Sequence, residues 1–550
     1  MDQSPHSFFG RYHTLVVILL FVAAAAIRLY DLTDLPLDFH PTRQLFSAIK
    51  ARGMYYASLP DAPADQREFA IQQAKQKVTV EPEVLERLVA FTWKFTGEQL
   101  WVARLYSILF WLIGGIFLYL LARDLFEESD SAEENKKEIR DTRQIRVIRV
   151  PNDAPLFTVA FYIFLPYAVL ASRSFQPDPL MLALVLGFWW AINRWSQSLI
   201  PNFLIPNFLT PNSQPVTRNS YPSSSWLYVL LASLLGGLAI FIKLNAAFFV
   251  IGGALGAALG RASIRDLLRN KQVWAMAVLG ILPGAAYVAY GLSRGFLGQQ
   301  FGGRFIPSLL VSPAYLLGWA QMIANVTGLF TFALALLGLT LIESKPVRAF
   351  ALGLWGAYLA FGIFFDYHIS THDYYSLPLI PIAALTLTPL WEAVMARLDA
   401  AAQTSRVTRT FVASFLTLGL LAVLWTSRAA LKSSDYRPEA AYWTRIGETV
   451  RAHRVVALAQ DYGSRLVYWG WTSAANWPDS SDIEYHTDLR GGDQTFDKRF
   501  AKLTEGRDLF LITDLTDLAL QPDLQSRLSH FAIFAEGDGY IIYDLTQPIP

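Results

Sequence analysis

Cysteine is absent from the 550 residues, which excludes disulfides, thiolate metal sites and a cysteine nucleophile, and leaves the redox compartment open. Charge is scarce as well: Asp, Glu, Lys and Arg make up 17% of the chain against 53% hydrophobic residues. A soluble protein needs more polar surface than that, so the solvent is a bilayer. A net charge of +1 gives no reason to expect nucleic acid or a broad acidic partner. What the chain has instead is a series of apolar runs, several of them near the roughly 20 residues that cross a bilayer as a helix.

The first run, Leu15 to Ile27, lacks a small-residue cleavage site and leads into Arg28 and Tyr30, so it reads as a retained span. Further spans are expected at Trp101–Leu121, Leu156–Ala171, Pro179–Ile192, Trp226–Ile242, Ala246–Leu259, Val273–Leu292, Ala324–Ile342, Phe350–Phe365, Leu377–Val394 and Phe411–Trp425. With Thr14–Leu29 this makes an α-helical polytopic membrane protein of about eleven spans. The connection from Arg123 to Val150 carries Lys136, Lys137, Arg140, Arg143, Arg146 and Arg149, and the one from Arg261 to Lys271 carries Arg265 and Arg269. Positive loops stay inside, so both are expected in the cytoplasm. The alternation of basic and apolar residues over Arg140–Val150 suits either anionic headgroups or a solvated loop. Pro-Asn-Phe-Leu occurs twice within Pro201–Asn212, a local loop duplication.

This threading puts two large segments on the extracytoplasmic side. Residues 31–100 form the first loop of a membrane domain spanning 1–426, with amphipathic helices expected near Arg43–Ala57 and Pro82–Phe95. In the second, Val84, Leu88, Phe91 and Phe95 recur at helical spacing, as in helices that rest on a membrane surface. Residues 427–550 alternate helical stretches such as Ala440–Arg451 with strand-like runs at Val455–Ala459, Leu509–Thr513, Ala532–Phe534 and Tyr540–Tyr543. They read as a small α/β domain.

The threading also gathers the chemistry. Arg28, Arg104, Arg173 and Lys243 all stand at extracytoplasmic span ends, with Asp38, His40, Glu81, Glu83, Glu98, Asp178, His368, His372 and Asp373 beside them. Singly, each cation fits snorkelling to the interface. Together, at one depth, they fit a site that holds a lipid phosphate. Asp38 and His40 lie just past the first span, where a proton acceptor for an attacking hydroxyl would sit; Asp38 equally suits capping a turn before Pro41.

Several segments, in order, carry a family resemblance: Arg28-Leu-Tyr-Asp31, the acidic first loop, Gly97 to Leu105, Ser172-Arg-Ser-Phe-Gln-Pro-Asp178, Gly237 to Lys243, and His372-Asp-Tyr-Tyr-Ser-Leu-Pro-Leu-Ile-Pro381. Over roughly Leu29 to Pro389 the chain resembles the GT-C superfamily of glycosyltransferases, in particular bacterial relatives of the protein O-mannosyltransferases (glycosyltransferase family 39) and the aminoarabinose transferases. The resemblance implies an inverting transferase in the cell envelope, set in the plasma (inner) membrane. It implies a polyprenyl-phosphate-linked sugar as donor and a glycan, lipid or protein hydroxyl as acceptor. It implies an acidic first-loop residue as base, here Asp38, with His40 beside it and Arg28, Arg104, Arg173 and Lys243 on the donor phosphate. Glu81, Glu83, Asp178, His372, Asp373 and Tyr374 are further candidates for positioning acceptor or metal. Some family members use a divalent metal, for which Asp38, His40, His372 and Asp373 offer ligands; His372 and Asp373 equally suit capping a turn. The sequence departs from the family's His-Pro-Asp-Glu context with His40-Pro-Thr-Arg43. A transporter or flippase for lipid-linked saccharides is the rival reading; it would carry charge nearer the midplane and show two related halves.

Overall fold

A computed structural model of the protein describes residues 12–78, 80–138, 153–199, 223–297, 305–489, 491–492 and 494–549. The repeat at Pro201–Asn212 and the basic stretch Arg140–Val150 lie outside these residues. Helices follow the apolar runs: His13–Leu29, Trp101–Glu138, Ala154–Phe164 with Pro166–Ala171, Asp178–Gln197, Ser223–Ile242, Ala246–Leu259, Lys271–Ser293, Pro313–Val326 with Leu329–Thr340, Lys345–Phe364, Leu379–Thr404 and Arg406–Leu431. Among the described residues six helices are long and apolar enough to cross a membrane, and seven if one bent pair counts as a span. The expected eleven therefore exceeds what helix length supports.

Two of the expected spans are not straight, and the sequence gives the cause of each. The third breaks at Leu165, because Pro166 has no N–H and its ring rejects the carbonyl one turn back. The eighth turns through 90° between Val326 and Leu329, where Gly328 takes φ +79°, a conformation open to glycine alone at little cost. Elsewhere close approach fixes the packing. Helices Ala246–Leu259 and Lys345–Phe364 press together at Gly252, Gly256 and Gly353; a Cβ on Gly252 would lie 2.5 Å from the Gly353 carbonyl. Small residues at such a crossing let backbones touch in lipid, where the hydrophobic effect offers no drive for helices to associate.

The first loop holds a helix more than expected: Pro41–Ala57, Ala64–Gln76 and Val84–Thr96. Helix Pro41–Ala57 is no surface element. Leu45, Ala48, Ile49 and Ala51 pack with Leu85, Val89 and Trp93 of the third loop helix, with Val102 and Phe175 of the bundle, and with Val467 and Tyr468 of the C-terminal domain. The loop is thus a middle layer between membrane helices and tail. Helix Val84–Thr96 buries Leu85, Val89 and Trp93 inward and leaves Phe91 and Phe95 exposed, so the apolar stripe seen in the sequence is half-buried at Val84 and Leu88 and turns outward only in its second half.

The last bundle helix runs on to Leu431, past the expected boundary at 426. Beyond it helix Arg437–Val450 leads into strands β1 (Val455–Leu458), β2 (Ala474–Asn476), β3 (Leu509–Ile512), β4 (Phe531–Gly537) and β5 (Tyr540–Pro548). Their order is β2-β1-β3-β5-β4, with β1 parallel to β2 and β3, and β5 antiparallel to β3 and β4. β1 and β3 are buried throughout, as strands covered on both faces should be. β2 was missed because Ala-Ala-Asn has no strand signature.

Candidate active site

The residues singled out in the sequence divide into two neighbouring groups at the end of the bundle that faces the C-terminal domain. The first comprises Arg28, Arg104, Arg173 and Asp38. The kink at Pro166 frees the Ile163 carbonyl, and Arg28, with no exposed surface, donates to it at 2.8 Å. Arg28 also donates to Ser172 Oγ at 2.7 Å and to the Ala24 carbonyl at 3.0 Å. Arg104, equally buried, gathers the carbonyls of Asp31, Leu32 and Leu35 and pairs with Asp38 at 3.0 Å. Arg173 donates to the Asp31 carbonyl at 2.8 Å, while its Nε and Nη1 are buried without a hydrogen-bond partner. Burial and then the neighbouring Arg104 charge lower its pKa to about 10. These arginines satisfy backbone where the chain leaves regular structure.

The second group is built on side chains. His40 takes φ +46° directly before Pro41, a strained conformation for a non-glycine residue. Its ring is held by Asp373, whose Oδ1 lies 2.7 Å from His40 Nε2 and accepts the Tyr167 hydroxyl at 2.6 Å. The Tyr374 ring closes on His40 edge-on at 4.7 Å. Tyr167 is the second residue past the Leu165 break, so the proline that frees a carbonyl for Arg28 also aims this hydroxyl. Burial alone would raise the Asp373 carboxyl, but the His40 and Tyr167 hydrogen bonds override it and hold the group below the usual carboxylate range.

Beside this pair stand cations matched to carboxylates. Lys243 Nζ lies 2.8 Å from Asp178 Oδ1, both nearly buried, and 5.4 Å from the ring centres of Tyr374 and Tyr375. Asp178 Oδ2 is buried without a hydrogen-bond partner. Arg43 pairs with Glu81 at 3.0 Å, and Lys50 with Glu83 at 3.4 Å. Burial pushes Glu81 up, yet Arg43, backed by Lys243 and Lys50, pulls it below its ordinary value. Arg43 in turn is driven up by Glu81 against its burial. His372, a further candidate, hydrogen-bonds Thr371 at 2.7 Å. Burial, then the charges of His40 and Arg43, press its pKa down to about 4.

Among the described residues no group of three His, Asp or Glu side chains converges to hold a metal. Of the ligands expected from the sequence, His40 and Asp373 meet at 2.7 Å, while Asp38 is engaged by Arg104 and His372 by Thr371.

Sequence reasoning missed Tyr167 and Lys50, and passed over Arg43 as a mere departure. The first had no signal without the fold. Arg43 did: a basic residue in the first turn of a helix runs against the helix dipole and needs a reason. Also missed was the C-terminal domain's reach into this site. Asp461, with Tyr462 and Gly463 in the left-handed region, accepts from Thr42 Oγ1 at 2.8 Å. The Tyr485 ring packs on Tyr367 at 4.4 Å, tilted by 38°.

No protein-family model matches the chain, and no curated protein is similar to it in sequence. Solved structures are similar in fold. ArnT from Cupriavidus metallidurans bound to undecaprenyl phosphate aligns at 13% identity with a TM-score of 0.55, over 96% of this chain and 97% of that one. The apo state of ArnT from the same organism gives 14% and 0.55 over the same shares. The apo oligosaccharyltransferase of Archaeoglobus fulgidus gives 10% and 0.51, over 92% of this chain and 70% of that one. The fold class expected from the sequence, a bundle of apolar helices with a small C-terminal α/β domain, is found, and the chain is similar in fold to ArnT.

Proposed function

We propose that the protein is a membrane glycosyltransferase that moves a sugar from a polyprenyl-phosphate donor to an acceptor hydroxyl on the extracytoplasmic face. The observation that carries this reading is the pairing of Lys243 with Asp178 and of Arg43 with Glu81 beside the His40–Asp373 couple. Cations held by carboxylates can trade one anion for another, so a lipid phosphate can take the place of Asp178 or Glu81 as partner. The undecaprenyl phosphate bound in the ArnT structure supports this donor class.

The chemistry is a displacement at the anomeric carbon. With Nε2–H directed at Asp373, His40 carries its lone pair on Nδ1 and accepts the proton of the acceptor hydroxyl as the new C–O bond forms. The bond between anomeric carbon and phosphate oxygen breaks, the configuration inverts, and polyprenyl phosphate leaves with the bonding pair. Lys243 and Arg43 stabilise its developing charge, and Asp373 stabilises the imidazolium. Asp38, the base expected from the sequence, is held by Arg104 and only 14% exposed. We assign it, with Arg28 and Arg104, to holding the loop.

The test is transfer of radiolabelled sugar from a panel of polyprenyl-phosphate sugars by the protein in liposomes. Wild type should turn over at least one donor, His40→Gln should lose at least ~100-fold, and Asp38→Asn should retain turnover in proportion to folded protein. Loss confined to Asp38→Asn would move the base to Asp38. No turnover or binding of any donor would sink the transferase reading and favour transport.

A further inference from the structure

The C-terminal domain holds a concave site. A cavity of about 660 Å³ opens where β1 and β3 end, lined by Gln460 after β1 and by Thr513 and Asp514 after β3. Helix Arg437–Val450 contributes Glu439 and Tyr442, the β4–β5 turn contributes Asp538, and the start of β5 contributes Tyr540. The topology explains the place. From the carboxyl end of β1 the chain leaves toward β2 on one side, and from that of β3 it leaves toward β4 on the other, so the two connections part above the carboxyl ends of β1 and β3. In open α/β sheets that crevice is where ligands bind, and the volume falls in the range of small-molecule sites.

We infer that this cavity is a binding site for a neutral saccharide, the glycan portion of the acceptor; the word acceptor rests on the transferase reading, the saccharide site does not. The lining has both parts such a ligand needs. The rings of Tyr442 and Tyr540, 6.3 Å apart at 68°, form an angled platform for the C–H face of a sugar. Around them stand Glu439, Asp514, Asp538 and Arg445, whose carboxylates and guanidinium match paired hydroxyls, while Gln460 is tied to Thr513 through both its amide atoms. The lining holds three carboxylates, Glu439, Asp514 and Asp538, against two guanidiniums, Arg445 and Arg465, so a polyanion gains nothing here.

The cavity is also wired to the site below. Glu439 Oε2 accepts from Arg465 at 3.1 Å, Arg465 pairs with Asp461 at 2.6 Å, and Asp461 accepts from Thr42 at 2.8 Å. Thr42 lies between His40 and Arg43, so one unbroken polar chain joins the cavity wall to the helix that carries the reacting groups.

Saturation-transfer NMR on the full chain in nanodiscs tests this, with maltotetraose and chitotetraose as neutral probes and a tetrauronate as charged control. Wild type should show transfer to at least one neutral probe and none to the tetrauronate. Tyr540→Ala should weaken that binding tenfold or more with an unchanged melting temperature. Where Tyr540→Ala alters melting, Glu439→Gln carries the same expectation. Absence of transfer to both neutral probes, or binding that survives in the variants, overturns the proposal. Saccharide bound without sugar transfer from any donor keeps the cavity and sinks the transferase reading; sugar transfer without saccharide binding does the reverse.

Discussion

Two sets of cations, all but Arg43 buried, lie side by side under the C-terminal domain, and they differ in what they hold. Arg28 and Arg104 point mainly at main-chain carbonyls freed by a kinked helix and an irregular loop. Lys243, Arg43 and Lys50 point at carboxylates. A carbonyl cannot leave, because it is fixed to the backbone that carries it and, buried, would lose its partner. A carboxylate can yield to a phosphate. On the function proposed above, the first set belongs to the fold and the second to the ligand, although in the sequence Arg28, Arg104 and Lys243 looked alike.

The comparison is sharpened by variants that should fail in opposite ways. Arg104→Ala strands three carbonyls and the Asp38 carboxylate, and we expect it to cost about 3–5 kcal/mol, read as lost expression and a lower melting temperature. Lys243→Met combined with Asp178→Asn, which strands no buried charge, should leave melting near wild type yet cut sugar transfer about 100- to 1,000-fold, the scale for losing one electrostatic contact to a developing charge. If this double variant unfolds the protein, the division between the sets fails. Tyr167→Phe should lower transfer roughly tenfold, as befits one hydrogen bond to Asp373, and shift the acidic limb of the pH–rate profile upward because Asp373 loses a donor.

The smallest effect concerns His372, whose folded pKa of about 4 lies below its unfolded value. A depressed histidine binds protons more readily in the unfolded chain, so its contribution to stability is complete above about 6.5 and falls away between there and about 4. The wild-type melting temperature should drop a few degrees more than that of His372→Gln between pH 7 and pH 5. Equal drops would show that His372 is hydrated in the fold.

Much of this was legible in the sequence, for identifiable reasons. Apolar runs mark helices because lipid forbids unpaired backbone, and the gathering of Arg28, Arg104, Arg173 and Lys243 at one end followed from threading alone. The expected Ala324–Ile342 span hid its bend because hydropathy does not register what Gly328 permits. Asp38 drew attention by its place after the first span, but proximity along the chain says nothing of the Arg104 partner 66 residues away. The His40–Asp373 couple spans 333 residues; both were named as candidates, and only the fold could pair them. Thr42–Asp461, joining first loop to C-terminal domain, had no sequence signal at all.

The most direct test of the central claim is binding of undecaprenyl phosphate, measured by native mass spectrometry on wild type, Lys243→Met and Arg104→Lys. The account predicts that Lys243→Met loses at least tenfold in affinity, while the folded fraction of Arg104→Lys binds as wild type does. Unchanged affinity in Lys243→Met with a loss in folded Arg104→Lys would contradict it, and would move the lipid phosphate to the arginines assigned here to the fold.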